Sequence, residues 1–237
     1  MIFLCVDTCT TSCSAALADE KSLIASAFCN TGRVHSTAIL PQIDACLKAG
    51  GKAVSELDYL AVTVGPGSFT GVRIGVATAK GLSQPHGLPI IPVSTLEALA
   101  GGLSALPGTR IATALNARRG QIYFALFEQT AAGLQRITPD AVLSAEEAHA
   151  QMEQSPLPRL IAGDGAELLF DPSDPLDFLV PPELRLCRAE GVAAAARQAL
   201  SSCLFTPVSC RDLTPVYLRR PQAERERLER LKKEDSQ

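Results

Sequence analysis

Residues 64–80 read Val-Gly-Pro-Gly-Ser-Phe-Thr-Gly-Val-Arg-Ile-Gly-Val-Ala-Thr-Ala-Lys, and they carry most of the structural information in the chain. A hydrophobic strand runs into a glycine-proline loop, and the loop opens a helix with small residues at Gly71, Gly75 and Ala79. Their four-residue spacing places them on one helix face. Glycine weakens a helix interior by about 0.8–1.0 kcal/mol relative to alanine, so the pattern predicts a close approach to this backbone.

We expect the approaching segment to be another helix, which makes this face a predicted contact surface for a partner protein. The surface combines small, apolar and charged residues of this helix with two isoleucines of the helix before it. Its members are Ile39, Ile43, Gly71, Val72, Arg73, Gly75, Val76, Ala79 and Lys80. The alternative is that the same residues pack inside the chain itself.

The glycine-proline loop also resembles a phosphate-binding loop, but its spacing does not fit one. A P-loop places Gly-Lys-Ser/Thr after a glycine and four further residues, whereas counting from Gly65 reaches Thr70 and counting from Gly67 reaches Val72. The dinucleotide pattern also needs a glycine where Thr70 stands. The spacing therefore favours tight helix packing. Nucleotide binding stays as a second hypothesis, because free N–H groups at a helix start bind anions.

Composition indicates a globular chain with a sizeable core. The 237 residues are 46% hydrophobic and 20% charged, which allows one large or two small domains. No apolar run reaches membrane-spanning length, and we expect a cytoplasmic protein with no membrane contact. The eight cysteines include no Cys-x-x-Cys pair, which favours reduced, buried thiols over a zinc or redox site.

The charge balance argues against strong binding of nucleic acid by the chain alone. The formal net charge is −3, tryptophan is absent and aromatic residues make up 5%. The only Arg-Arg pairs, 118–119 and 219–220, lie far apart in sequence. For Arg118 and Arg119 a local ion pair, a partner contact and RNA phosphate all stay open. Neighbours in a strand point to opposite faces, so one of the two is predicted to be structural.

The order of predicted elements occurs twice. Strands at 2–7, 13–18 and 23–28 precede a helix at 36–48, a strand at 59–64 and the glycine-bearing helix. Strands at 110–115, 121–127 and 134–137 precede a helix at 144–152, a strand at 160–161 and a helix at 189–200. Ser36, Ser94 and Ser144 are predicted N-caps. The repeat predicts an α/β fold from an internal duplication, with the split between residues 101 and 108.

The chain resembles the bacterial TsaB (YeaZ) family over about its first 220 residues. The resemblance rests on ordered motifs, of which the run from Gly65 to Gly75 is the most specific. The others are Ile2–Asp7 with Thr8-Cys9-Thr10-Thr11, His35-Ser36 with Leu40-Pro41, Asn116 to Tyr123, Gly163-Asp164-Gly165, and Pro215 to Arg219.

The resemblance implies an actin-like (ASKHA) fold of two ribonuclease-H-like subdomains, which matches the duplication. We expect the first at 1–104 with the partner-binding helices and the second at 105–220. Residues 221–237, with five acidic and five basic side chains, are predicted to form a charged helical or disordered tail.

The resemblance also implies a role in making threonylcarbamoyladenosine next to the anticodon of certain tRNAs. In that system a paralogue, TsaD, is the transferase, and a small ATPase, TsaE, joins the assembly. We expect this chain to be a non-catalytic subunit, a pseudoenzyme that pairs with TsaD and meets tRNA only through the complex. The same face could form a homodimer when TsaD is absent.

The alternative is an enzyme in its own right, either a nucleotide-dependent phosphotransferase or a metallopeptidase. TsaD-like chains carry two histidines four residues apart, whereas here Ile39 stands four residues after His35. His35 is a candidate base, but we expect it to be a residue at a helix start that is hydrogen-bonded to backbone. Asp7, Thr8 and Thr10 are candidate phosphate-binding residues, with local turn bonding as the competing reading for Asp7. We expect no required cofactor, and ATP or ADP binding that is weak or partner-dependent.

Overall fold

The computed structural model describes residues 1–32, 34–202 and 205–219. The predicted charged tail at 221–237 lies outside the described residues. Two sheets and five α-helices form the described part of the chain. None of its helices is both long enough and apolar enough to span a bilayer.

The first half of the chain forms a five-stranded sheet in the order β3-β2-β1-β4-β5. Strands β1 to β3 pair antiparallel, and β4 and β5 continue the sheet parallel to β1. The strands are β1 (Ile2–Asp7), β2 (Cys13–Asp19), β3 (Leu23–Cys29), β4 (Tyr59–Thr63) and β5 (Ile90–Val93). The helices are α1 (His35–Ala49), α2 (Phe69–Ser83) and α3 (Thr95–Gly101).

The second half repeats this topology, which confirms the predicted duplication and fold class. Strand β6 pairs antiparallel with β7 and parallel with β10, β8 follows β7 and β11 follows β10, with β9 added against β7. The strands are β6 (Thr109–Arg118), β7 (Gln121–Thr130), β8 (Gly133–Arg136), β9 (Ala141–Ser144), β10 (Arg159–Ala162) and β11 (Asp177–Leu179). The helices are α4 (Ala145–Met152) and α5 (Ala189–Ser201).

Strand β1, at the centre of the first sheet, is buried on both faces. Along β1, Leu4 and Val6 belong to the core shared with α1 and α2, whereas Phe3 and Cys5 belong to the core shared with α5. This alternation follows from the two-residue period of a strand. It also explains why β1 is a continuous apolar run, since neither face meets water.

Helix α5 and the segment after it return to the first sheet. Val192 and other small residues of α5 pack on β1, and Val208 pairs with Ile90 of β5 through two backbone hydrogen bonds. The chain beyond residue 105 is therefore not confined to the second sheet. The subdomain bounds 1–104 and 105–220 stay a prediction.

Two of the three predicted serine caps are confirmed. Ser94 accepts from the Glu97 amide, and Ser144 forms a capping box with Glu147. The predicted Ser36 cap is wrong, because α1 already begins at His35 and its N-cap position is Val34, which has no side-chain cap. The His35 ring is instead held by a hydrogen bond to the Thr10 carbonyl (2.8 Å).

The segment that approaches α2 is the turn after β1, not a second helix. A Cβ at Gly71 would lie 2.0 Å from the Thr8 carbonyl oxygen, and one at Gly75 would lie 2.6 Å from the Thr8 hydroxyl. That hydroxyl donates to the Gly71 carbonyl (2.7 Å). The two glycines are thus required by a contact inside the chain.

The predicted partner surface is corrected by the same packing. Seven of its nine residues are buried in the chain's own core, namely Ile39, Ile43, Gly71, Val72, Gly75, Val76 and Ala79. Only Arg73 and Lys80 keep part of their surface in solvent. Spacing alone marks a close-packed helix face but does not say whether the neighbour is this chain or another.

Replacing Gly71 by alanine is expected to destabilise the chain, because the new methyl group would overlap the Thr8 carbonyl. Overpacking of this kind costs about 1–3 kcal/mol or more of the free energy of unfolding. Gly81→Ala in the same helix is the matched control, since nothing lies within 4 Å of its Cβ position. The control should gain about 0.5–1 kcal/mol from helix propensity. Urea unfolding measures both, and equal stabilities would contradict the assignment of the Thr8 contact.

Candidate functional site

A cleft of about 990 Å³ opens between the ends of the two sheets. One wall holds the turn after β1 and the glycine-proline loop before α2, and the other holds the β6–β7 turn and Asp164. Residues 216–219 complete the lining. The cleft is therefore built from equivalent ends of the two repeats, with the C-terminal segment laid against both.

The glycine-proline loop is fastened to the turn after β1. The Ser68 amide donates to the Cys9 carbonyl (2.7 Å), and a Cβ at Gly67 would lie 2.3 Å from that same oxygen. Ser68 then caps α2 by accepting from the Gly71 amide (3.3 Å). These contacts orient the N-terminus of α2 toward the cleft lining.

The second repeat uses the same device on the opposite wall. A Cβ at Gly163 would lie 1.9 Å from the Ala114 carbonyl, so the loop after β10 presses on β6. The Asn116 amide donates to Asp164 (2.8 Å), and the Asn116 side chain in turn accepts from the Arg118 amide (2.7 Å). Asp164 thereby supports the start of the β6–β7 turn.

The C-terminal segment joins the two walls. The Val216 amide donates to the Val64 carbonyl (2.8 Å) on the first side, and Arg219 donates to the Ala117 carbonyl (2.7 Å) on the second. Between them the Tyr217 ring lies 5.1 Å from the Phe69 ring and its hydroxyl meets Arg73 (3.0 Å). The segment therefore fixes the spacing of the walls at the cleft mouth.

Asp7, the first candidate phosphate residue, is sealed beneath the cleft. It is fully buried and does not belong to the lining. Its Oδ1 accepts from the Thr63 hydroxyl (2.7 Å) and the Cys9 amide (3.2 Å), while Oδ2 is buried with no hydrogen-bond partner among the described residues. Burial raises the Asp7 pKa above its ordinary value, against the opposing effect of these hydrogen bonds.

The other two candidates are divided between the core and the cleft. Thr8 is buried and its hydroxyl is committed to Gly71, whereas Thr10 lines the cleft. The Thr10 hydroxyl pairs with Ser12 (2.9 Å), and its carbonyl accepts from His35, as predicted for a structural histidine. The sequence placed three residues at one phosphate site, and the structure brings only Thr10 to the cleft surface.

Cys9 reaches the cleft lining but does not behave as a reactive thiol. Burial, followed by the neighbouring Asp7 carboxyl, raises the pKa of Cys9 to about 12. The thiol therefore stays protonated at neutral pH, and thiolate chemistry is not expected there. The part of the chain that the structure describes contains no group of three or more His, Cys, Asp or Glu side chains suited to a metal ion.

Sequence reasoning missed the concentration of positive charge in this cleft. Arg118, Arg119 and Arg219 all line it, and Asp164 is the one carboxylate that the described residues add to the lining. Arg219 is about a hundred positions from Arg118 and Arg119 along the chain, so only the return of the C-terminal segment brings the three together. The motif from Pro215 to Arg219 was the one available signal.

Comparison with known proteins agrees with the topology. The family model described as "TsaD: tRNA N6-adenosine threonylcarbamoyltransferase" matches residues 29–176. A curated Escherichia coli relative named "tRNA threonylcarbamoyladenosine biosynthesis protein TsaB" is 34% identical over 222 residues, 92% of this chain and 95% of its own. The chain belongs to the TsaB (YeaZ) family. A relative of the same name from Bacillus subtilis is 36% identical over 140 residues, 59% of this chain and 61% of that one.

Solved structures extend the TsaB likeness to three dimensions. A Pseudomonas aeruginosa protein described as YeaZ has a TM-score of 0.77 at 28% identity, covering 92% of this chain and 99% of that chain. A second structure, described as an uncharacterized protein with similarity to peptidase YeaZ from the same organism, has a TM-score of 0.79 at 29% identity. It also covers 92% of this chain and 99% of its own.

Asp7→Asn in this TsaB-family chain is expected to remove a pH-dependent loss of stability. The raised pKa means that the folded chain holds the Asp7 proton more tightly than the unfolded chain. Ionisation, as pH rises from the ordinary value of 3.8 through the folded pKa, therefore lowers the free energy of unfolding. Asparagine cannot ionise, so the stability of the variant relative to the parent should increase with pH.

Urea unfolding at a series of values between about pH 5 and pH 8 measures this difference. If the stability of the parent relative to Asp7→Asn increases as pH rises, the raised pKa of Asp7 is contradicted. That result would mean that a charged Asp7 is stabilised by contacts other than those described.

Proposed function

We propose that this chain is an accessory subunit in the formation of threonylcarbamoyladenosine in tRNA, pairing with the transferase TsaD in an assembly that includes TsaE. The observation that carries the proposal is the likeness to the Escherichia coli TsaB protein, which spans 95% of that protein's length. The match of residues 29–176 to the TsaD family model supports a paralogous pair. In this proposal TsaD performs the transfer and this chain makes TsaD competent.

The hydrogen bonds of the candidate phosphate-binding residues support a non-catalytic role. The Asp7 carboxyl accepts hydrogen bonds from the Thr63 hydroxyl and the Cys9 amide, and the Thr8 hydroxyl donates to the α2 backbone. The Thr8 side chain therefore holds the turn after β1 against α2, and the Asp7 side chain holds the same turn against β4. We propose that the chain needs no cofactor of its own, and that any ATP or ADP binding is weak or depends on the partner.

The outer faces of α1 and α2 are the surface that we propose for TsaD. Val34, at the start of α1, is 64% exposed and Leu40 is 55% exposed, although both are apolar. On the neighbouring α2, Ala77 and Arg73 are exposed. This surface replaces the buried face that the sequence indicated, and it leaves the core contact between Thr8 and α2 intact. A second copy of this chain is the competing occupant.

Leu40→Glu is expected to weaken pairing with TsaD while leaving the chain folded, because the side chain is largely in solvent before binding. Burial of one leucine contributes about 1.5–3 kcal/mol, so the dissociation constant should rise by about tenfold or more. Sedimentation or titration calorimetry with purified TsaD measures the change.

Leu106→Glu is the matched control, since Leu106 is 79% exposed and lies in the loop between α3 and β6, outside α1 and α2. Its affinity for TsaD should equal that of the parent. An equal loss of affinity for TsaD in both variants, or no loss of affinity in Leu40→Glu, would place the contact elsewhere. Loss of self-association alone would identify the surface as a homodimer interface.

A further inference from the structure

We propose that the cleft between the two sheets binds the phosphate backbone of an RNA strand through Arg118, Arg119 and Arg219. This inference deepens the proposed function and rests on it, because tRNA is the substrate of the assembly. A net charge of −3 does not by itself point to such a site. The fold creates it by bringing distant arginines onto one cavity.

The three arginines form one cluster. Arg118 is the last residue of β6 and Arg119 follows it in the β6–β7 turn, and the Arg219 guanidinium donates to the carbonyl of Ala117, the residue before them. Among the described residues of the lining, Asp164 is the only carboxylate, and it accepts a hydrogen bond from the Asn116 amide. The cluster therefore keeps a positive balance facing the cavity, which attracts phosphate groups.

Like Arg188, Arg197 and Arg211, these arginines form no ion pair among the described residues, and in this they differ from four others of the second repeat. Arg110, Arg136, Arg159 and Arg185 each form an ion pair with an aspartate or glutamate. Within residues 1–32, 34–202 and 205–219, no such pair involves Arg118, Arg119 or Arg219. Arg118 and Arg119 are also exposed, so their guanidinium groups are available to a ligand at the rim.

The backbone conformation of the β6–β7 turn is unusual for arginine. Arg118 has φ of +64° and Arg119 has φ of +58°, a region that asparagine and glycine adopt far more readily than arginine. With Gly120 at +72°, the tip of the hairpin has the positive φ values that favour an Asn-Gly pair. Arginine at these two positions is unfavourable for the backbone, which is the observation that points to a role for the side chains at the cavity.

The surroundings favour a strand of RNA over a free nucleotide. The arginine pair is at the exposed rim, whereas the floor of the cleft is closed over Asp7. At the mouth the Phe69 and Tyr217 rings are adjacent, and Tyr217 is 39% exposed, which offers a face on which a base can stack. Phosphate groups bound at the rim next to an aromatic pair fit an RNA strand that continues across the surface.

The test uses the complete assembly of this chain, TsaD and TsaE with unmodified tRNA. In Arg118→Asn/Arg119→Asn the charge is removed, but asparagine tolerates positive φ, so the turn is retained. Arg118→Lys/Arg119→Lys keeps the charge, and Arg211→Gln removes an exposed arginine outside the cleft. Binding of tRNA is followed by fluorescence anisotropy between about 50 and 200 mM salt, and transfer kinetics give KM and kcat.

The asparagine pair should raise the tRNA dissociation constant and KM by about tenfold and leave kcat unchanged. The magnitude of the salt slope should fall by about 0.7 for each phosphate of a single strand that the variant no longer neutralises. The lysine pair should recover most of the affinity, and Arg211→Gln should match the parent.

Unchanged tRNA affinity and salt slope in the asparagine pair would overturn the RNA site, provided that transfer still depends on this chain. A variant that no longer binds ATP or ADP but keeps tRNA binding would also overturn it, and would identify the cleft as a nucleotide site. Failure of the proposed function is a separate result, because transfer would then proceed equally without the chain. Assembly with TsaD, measured on every variant, separates a defect in pairing from a defect in RNA binding.

Discussion

The contact between Thr8 and the backbone of α2 is the constraint on which the rest of the structure depends. Gly71 and Gly75 let the turn after β1 lie directly on the helix, and the Thr8 hydroxyl locks it there through the Gly71 carbonyl. This contact fixes the glycine-proline loop against Cys9 and thereby one wall of the cleft. The same turn donates the Cys9 amide to the Asp7 carboxyl, which is fully buried.

The second repeat forms the other wall of the cleft through an equivalent glycine contact. Gly163 lets the loop after β10 press on β6, much as Gly67 lets the loop before α2 press on the turn after β1. The two walls then diverge in charge. The turn after β1 presents threonines and the β6–β7 turn presents arginines, to which the C-terminal segment adds Arg219. The cleft is therefore lined by equivalent loops of the two repeats but carries its arginines on one side.

The sequence predicted the strands and the duplication because their signals are local. Apolar runs such as Ile2–Asp7 and caps such as Ser144 depend on near neighbours only. Burial on one helix face is local too, but the identity of the neighbour is not, so Val72 and Val76 were assigned to a partner although they pack in the core. Short strands such as β11, Asp177–Leu179, depend on pairing with β10 and carry no pattern of their own. The arginine cluster was unpredictable for the same reason, because it is made by the return of residues 216–219.

We propose that this chain enables a transferase without performing the transfer itself. The most direct measurement is threonylcarbamoyl transfer to tRNA by purified TsaD and TsaE, supplied with the adenylate intermediate, with and without this chain. We predict that transfer requires the chain and that the chain alone transfers nothing. Equal transfer in its absence, or transfer by the chain alone, would contradict this claim.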